Sequence, residues 1–297
     1  MTYRALWETG RDRLTGAGVE EAGLDARLLL EFVCHTARHD LLAHGEREME
    51  DAQEKRYLKL IEQREKRIPL QHLTGVQEFM GLEFAVNAHV LIPRQDTEVL
   101  VEEVMRNLHD GFRILDMCTG SGCILLSLLH YSNNCSGVGA DLSRQALQVA
   151  EENAKRLRET GARFVQSDLF EAVEGKFEII VSNPPYIRSD VIGTLAEEVR
   201  LHEPQTALDG GEDGLYFHRK IIGMGREYLC GGGQLFLEIG YDQAEAVAGL
   251  MKAAGYRDVE VVKDFAGLDR VVYGSRQSGA DGDNRGEGHR VPGTGDR

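Results

Sequence analysis

The sequence predicts an α/β protein: a doubly wound, mostly parallel sheet with one antiparallel strand, preceded by a small helical domain. Three observations predict it. Strand-like and helix-like patterns alternate after Pro93. A glycine-bearing turn, "ILDMCTGSGCILL" at 114–126, joins an apolar strand to an apolar helix. Residues 2–67 show helical spacing alone. Alternation of strand and helix implies a parallel sheet covered on both faces.

The elements follow in chain order. "ARLLLEFVCHTA" and "QEKRYLKLIEQREKR" set apolar residues three and four apart, the period of an amphipathic helix. They define a helical domain over 1–75. "RIPLQHLTG" contains Pro69 and Gly75 as breakers. Within 76–95, "EFMGLEFAVNAHVLI" alternates in part around a central Gly-Leu and reads as a β-hairpin or short extended linker. The sheet domain spans 96–275. "DTEVLVEEVMRNL" opens it as a helix, with Asp96 or Thr97 as N-cap. "FRILDM" is a strand and "GCILLSLLHY" a helix. "SGVGAD" is a strand and "SRQALQVAEENAKRLRE" a helix. "ARFVQSD" and "FEIIVS" are strands, "LYFHRKIIGMGREYL" a helix, "GGQLFLEI" a strand and "DQAEAVAGLMKAAG" a helix. "RDVEVVKD" and "DRVVYGS" close the set with no helix between them, so one runs antiparallel to its neighbours. Residues 276–297 have almost no apolar content and read as a disordered tail.

Bulk properties narrow the function. The chain has 297 residues and a formal charge of -15. By count, residues 1–75 carry a net of -2 and residues 76–275 a net of -13. Such acidity argues against a surface that grips nucleic acid. The five cysteines form no CxxC pair, which argues against a disulfide framework and for a reducing compartment. The N-terminus has no apolar signal core, and no apolar run approaches a membrane span. A cytoplasmic monomer without membrane contact is expected. The ten histidines show no metal-ligand spacing, so no metal is expected, and His72 and His202 read as loop or surface residues.

The first strand–turn–helix is where a doubly wound sheet binds a nucleotide-like ligand. Gly120 and Gly122 admit close backbone approach, and the helix N-terminus offers free N–H groups. Asp141 closes the second strand, near the offset expected of a ribose-binding acid. Asp168 closes the third, where it would meet an adenine edge. Leu125 stands where a dinucleotide fingerprint needs a third glycine. Asp116 would repel a pyrophosphate and attract a cation, which favours a sulfonium-bearing adenosine.

The fourth strand ends in "NPPY", residues 183–186. Asn183 offers an acceptor and a donor. Pro184 and Pro185 lack N–H groups and stiffen the turn, which frees the Pro184 carbonyl for a ligand. Tyr186 supplies a flat face. Together they make a clamp for a planar NH2 group. No Ser-His-Asp or Cys-His arrangement suggests a covalent nucleophile.

These residues resemble the class I, S-adenosylmethionine-dependent methyltransferases, whose sheet is Rossmann-like. More closely, the chain resembles the HemK/PrmC family, the release factor glutamine N5-methyltransferases. The similarity covers about residues 1–275, through "LTGVQEFMGLEF", "VLIPRQDTEVLVE", "ILDMCTGSGCI", "SNPPYI" and "HEPQTALDGGEDGL". It implies that the N-terminal domain helps recognise a protein substrate. It implies methyl transfer to the glutamine of the Gly-Gly-Gln motif in class 1 peptide chain release factors. Cys118, Thr119, Gly120, Ser121 and Gly122 would line the methionine part of the cofactor. Asp141 would hold the ribose, and Asp168 and Leu169 would flank the adenine. Asn183, Pro184, Pro185 and Tyr186 would clamp the glutamine amide. Arg94 and Thr97 would border the cofactor pocket, and Glu203 and Pro204 its mouth. Cys118 replaces a glycine common in the family, and Leu169 a tryptophan found in some members. Two other substrates share the NH2 chemistry: a glutamine of a ribosomal protein, and an adenine of DNA methylated at N6. The second would require base flipping and phosphate contacts, which the acidic sheet domain disfavours.

Overall fold

A computed structural model describes residues 1–278. Four helices come first: α1 (Tyr3–Gly16), α2 (Ala22–Cys34), α3 (Arg38–Ala43) and α4 (Asp51–Glu65). Thr2 caps α1 by accepting from the Ala5 amide at 3.3 Å. Leu6, Leu14, Leu29, Leu30, Tyr57 and Ile61 are fully buried in a cluster of their own. Arg13 of α1 grips Glu65 of α4 with two hydrogen bonds, 2.9 and 2.6 Å. A fifth helix, α5 (Leu70–Thr74), lies where breakers were expected. Pro69 precedes its first residue and Gly75 ends it in the left-handed region. The two breakers are therefore the ends of one helical turn.

A hairpin of β1 (Val76–Phe79) and β2 (Leu82–Ala85) follows. Then come α6 (Glu98–Asn107), β3 (Arg113–Met117), α7 (Cys123–His130), β4 (Ser136–Asp141), α8 (Arg144–Leu157), β5 (Ala162–Gln166) and β6 (Phe177–Ser182). The short helix α9 (Glu197–His202) sits in a long connection to α10 (Tyr216–Tyr228). Last are β7 (Leu229–Glu238), α11 (Ala244–Ala253), β8 (Arg257–Lys263) and β9 (Asp269–Ser275). Seven strands form one sheet in the order β5-β4-β3-β6-β7-β9-β8. Strand β9 pairs antiparallel with both neighbours, and the other pairings from β5 to β7 are parallel.

Alternate side chains feed two cores. Leu115, Ile180, Leu235 and Leu237 face α10 and α11, while Ile114, Ile179, Val181 and Phe236 face α6 and α7. The strand order reverses between β3 and β6, so a crevice opens beyond their carboxyl ends. The helical bundle is fastened to α9. Arg64 donates to Asp25 and to Glu198, each at 2.8 Å, and Arg67 donates to Glu198 at 2.6 Å. Of the expected tail, Arg276 still pairs with Gly233 (2.7 Å), and 279–297 lie outside the described residues.

Candidate active site

A cavity of about 350 Å3 occupies the crevice, within the usual size of small-molecule pockets. Its floor is the turn after β3. Cys118, Gly120 and Gly122 all take positive φ there (62°, 55° and 79°). A Cβ built on Gly120 meets no atom within 4 Å, so the backbone faces open space. Cys118, Thr119, Gly120 and Ser121 line the cavity, and Gly122 does not. The Cys118 thiol is pushed well up by burial, which denies it a nucleophilic thiolate.

Asp116 is not where a ligand cation would meet it. It belongs to the body of β3, two residues after Ile114 and on the same face, beneath α7. It is fully buried, absent from the cavity wall, and accepts from the Thr119 hydroxyl at 2.6 Å and the Leu125 amide at 3.3 Å. Burial raises its carboxyl to about 7. It fastens the turn from below.

Asp141, Asp168 and Leu169 all line the cavity. One Asp141 oxygen accepts from the Gly120 amide at 2.9 Å and the other from the Ser143 amide at 2.8 Å. Each oxygen keeps a lone pair for a further donor. Burial raises this carboxyl too. Leu169 is buried with φ 49°, and Ser167 shapes its turn by donating to the Leu169 carbonyl at 2.6 Å.

The tip of β6 forms the opposite wall. Ser182 donates to the Met117 carbonyl at 2.6 Å, which ties the tip to β3. Asn183 and Pro185 line the cavity, whereas Pro184 and Tyr186 do not. The Asn183 amide group donates to Thr97 Oγ1 at 3.2 Å. Among the described residues nothing donates to Asn183 Oδ1 or to the Pro184 carbonyl. Tyr186 turns away from the cavity wall: its hydroxyl donates to Glu238 Oε1 at 3.2 Å, and its carbonyl accepts from Gln243 at 3.0 Å. The glycine-rich 209–214 loop packs on this turn. A Cβ on Gly210 would lie 2.7 Å from the Tyr186 Cα, and one on Gly214 would lie 2.4 Å from its carbonyl oxygen.

Thr97 is the residue that precedes α6, yet its side chain makes no cap bond and serves Asn183 instead. Arg94 and Thr97 both line the cavity. Glu203 is not on an open loop: its side chain is 1% exposed, pairs with Arg94 and accepts from the Ile92 amide at 3.4 Å. Pro204 lines the cavity beside it. His72 lies in α5, half-buried and held below its ordinary pKa by burial, and His202 contacts the Lys66 carbonyl. Sequence reasoning missed Phe217 of α10, which lines the cavity, and Glu238. Glu238 left one sign: an acid ending the apolar run "LFLEI".

Comparisons with known proteins follow the same outline. Residues 5–75 match the family model of the PrmC N-terminal domain, and residues 94–213 match that of the Methyltransferase small domain. The chain is 41% identical over 278 residues to the release factor glutamine methyltransferase of Caulobacter vibrioides, covering 92% of this chain and 96% of that one. It is 44% identical over 284 residues to the enzyme of that name from Moorella thermoacetica, covering 93% and 99%. A solved methyltransferase from Pyrococcus furiosus superposes with a TM-score of 0.51 at 18% identity, covering 67% of this chain and 91% of that one, a likeness of fold.

Proposed function

This chain belongs to the release factor glutamine methyltransferase family, and from that premise we propose that its cavity binds S-adenosylmethionine and that its Asn183 tip grips a glutamine side-chain amide. The substrate is the glutamine of the Gly-Gly-Gln motif in a class 1 peptide chain release factor, and N5 is the nitrogen methylated. A translation factor as substrate puts the reaction in the cytoplasm.

The residues fit the cofactor. Open space above Gly120 leaves room for close approach to the backbone. The free lone pairs of Asp141 suit the two ribose hydroxyls. Asp168 and Leu169 stand where an adenine would lie. When bound, S-adenosylmethionine supplies a sulfonium methyl carbon that is already electrophilic, so the protein needs no nucleophile of its own.

One observation carries the reading. Thr97 takes the donor edge of Asn183, so the acceptor edge is left for a ligand. An amide nitrogen shares its lone pair with the carbonyl, a conjugation behind a rotational barrier of about 18–20 kcal/mol. Asn183 Oδ1 accepts one N–H of the substrate and the Pro184 carbonyl accepts the other. Two acceptors aim the nitrogen and draw it toward a tetrahedral shape. Transfer would form the new N–C bond as the sulfonium S–C bond breaks, with the neutral thioether S-adenosylhomocysteine as leaving group, and one of the two held hydrogens would pass to solvent as a proton. Orientation of this kind supplies roughly 7–11 kcal/mol when the near-attack geometry is good.

The helical bundle, domain 1–75, contacts the release factor away from the glutamine. The acidic 96–275 domain attracts a basic substrate region, so transfer slows as salt rises. The deciding experiment is mass spectrometry of a release factor incubated with this protein and S-adenosylmethionine. A gain of one methyl on the Gly-Gly-Gln peptide is expected. Methyl on a ribosomal protein or on DNA instead would replace the substrate.

A further inference from the structure

Glu238 is a charged side chain where an apolar one would pack. It closes β7 one step beyond the Ser182–Leu237 pair that ends the β6–β7 ladder, so it stands beside Asn183. It is 1% exposed. A buried carboxylate is destabilising unless its oxygens are bonded. Here Oε1 accepts from Tyr186, while among the described residues nothing donates to Oε2. Glu238 does not line the cavity, so whatever it does passes through a neighbour.

The groups that face it come from four elements. Tyr186 and Thr97 bracket it from the tip and from the start of α6. Arg270 of β9 lies near, itself held by Asp264 at 3.0 Å and by Asp96 at 3.3 Å. His218 of α10 contacts the Glu238 carbonyl through Nε2 at 2.9 Å, and burial holds that imidazole below its ordinary pKa. Thr97 and Arg270 favour the ionised carboxylate and Asp96 opposes it. Burial outweighs them all and lifts the carboxyl to about 7.

We propose that Glu238 is a positioning residue for the substrate amide, holding the Pro-Pro-Tyr turn through the Tyr186 hydroxyl so that the Pro184 carbonyl meets the nitrogen. The proposal rests on the glutamine-amide reading above. An ionised carboxylate is an acceptor only, so it fixes the direction of the Tyr186 O–H bond. A protonated one is a donor as well as an acceptor, so the Tyr186 O–H bond loses its fixed direction and the turn loosens. Transfer therefore rises with pH as Glu238 loses its proton.

The test compares the full chain with Glu238→Gln, Tyr186→Phe and the double variant. Glu238→Gln is expected to bind S-adenosylmethionine within twofold of the parent by calorimetry. Its kcat on the release factor should fall about tenfold at unchanged KM, and the acid limb of kcat near pH 7 should vanish. Tyr186→Phe should fall by a similar factor. Because the two residues act as one unit, the double variant should lie within about threefold of the worse single. Losses that multiply, or an acid limb that persists in Glu238→Gln, would overturn the proposal. A second readout needs no turnover. In protein labelled with [ζ-13C]tyrosine, the Tyr186 resonance, assigned through Tyr186→Phe, should move with a midpoint near pH 7 and stay flat in Glu238→Gln. A resonance flat in both refutes the tether. A parent that titrates in this way yet fails to methylate the release factor sinks the substrate reading and leaves the tether standing.

Discussion

The turn after β3 is fastened by its own neighbourhood, whereas the tip of β6 is fastened by residues far along the chain. Asp116 reaches Thr119 and Leu125, three and nine positions away, and Gly120 reaches Asp141, twenty-one away. Asn183 depends on Thr97, 86 positions away, and Tyr186 on Glu238 and Gln243, 52 and 57 away. The first wall forms with a single strand–turn–helix unit and its neighbouring strand. The second forms only when β6, β7, α6 and α11 have all assembled, because each long-range contact must first overcome loop-closure entropy. On the proposed reading the local turn holds the cofactor, and a long-range tip can be re-aimed without disturbing it.

If the two walls are separable, damage to one spares the other. Asn183→Ala is the sharpest break. It removes an acceptor that works on the reacting nitrogen, so kcat should fall about 10²–10³-fold, the scale of losing one preorganised transition-state hydrogen bond. Cofactor affinity by calorimetry should stay within a few fold. Equal losses in both would mean that Asn183 belongs to the cofactor wall, and the comparison would fail. Asp141→Ala is the reverse case. A charged acceptor is worth about 1.5–3 kcal/mol, so cofactor affinity should fall about ten- to hundredfold. Turnover at saturating cofactor should change far less. A collapse of kcat with affinity intact would contradict the assignment.

This division also explains what was legible in the sequence. The G-x-G turn and the acid twenty-one residues later are local signs, and both lie on the cavity wall proposed to hold the cofactor. The alternation of strands and helices, and the helix-free last pair, gave the sheet and its antiparallel β9. Asp116 was misread because an acid just before the turn was taken to face the ligand, with no account of which face of β3 it occupies. Met117 continues the strand, and alternation sends the Asp116 side chain under α7. Thr97 does hold the N-cap position of α6, but spacing shows the start of a helix and not the rotamer that turns its hydroxyl to Asn183. Glu238 was invisible as a partner of Tyr186, since the pairing of β6 with β7 across 52 positions is set by packing. Glu203 was placed at a mouth, yet its pairing with Arg94 draws it inside.

A smaller effect tests the cofactor wall from beneath. The folded Asp116 carboxyl sits at about 7 against an ordinary value of 3.8. The folded state therefore binds its proton more tightly than the unfolded chain does. The stability this provides is present below about pH 4 and is lost as pH rises toward 7. Asp116→Asn keeps an acceptor for Thr119 and Leu125 and buries no charge. We expect it to be more stable than the parent by about 1–2 kcal/mol at pH 8, with the difference shrinking at pH 4, by denaturant unfolding. A variant less stable at both pH values would show that the charge itself holds the turn.

Cys118→Gly should have the least effect, and it bears on why the turn takes its shape. Cys118 holds φ at 62°, a conformation that costs an L-residue about 1–2 kcal/mol and glycine almost nothing. Glycine gives back about 0.5–1 kcal/mol through the freer unfolded chain. The thiol also packs against the larger of the two sheet cores, contact that glycine would lose. These terms nearly cancel, so Cys118→Gly should shift stability by less than about 1 kcal/mol and leave kcat and cofactor affinity within twofold. A loss of several kcal/mol would mean that the thiol, and not the backbone, sets the turn. The cofactor wall would then depend on side-chain packing as the tip does, and the contrast between the two walls would disappear.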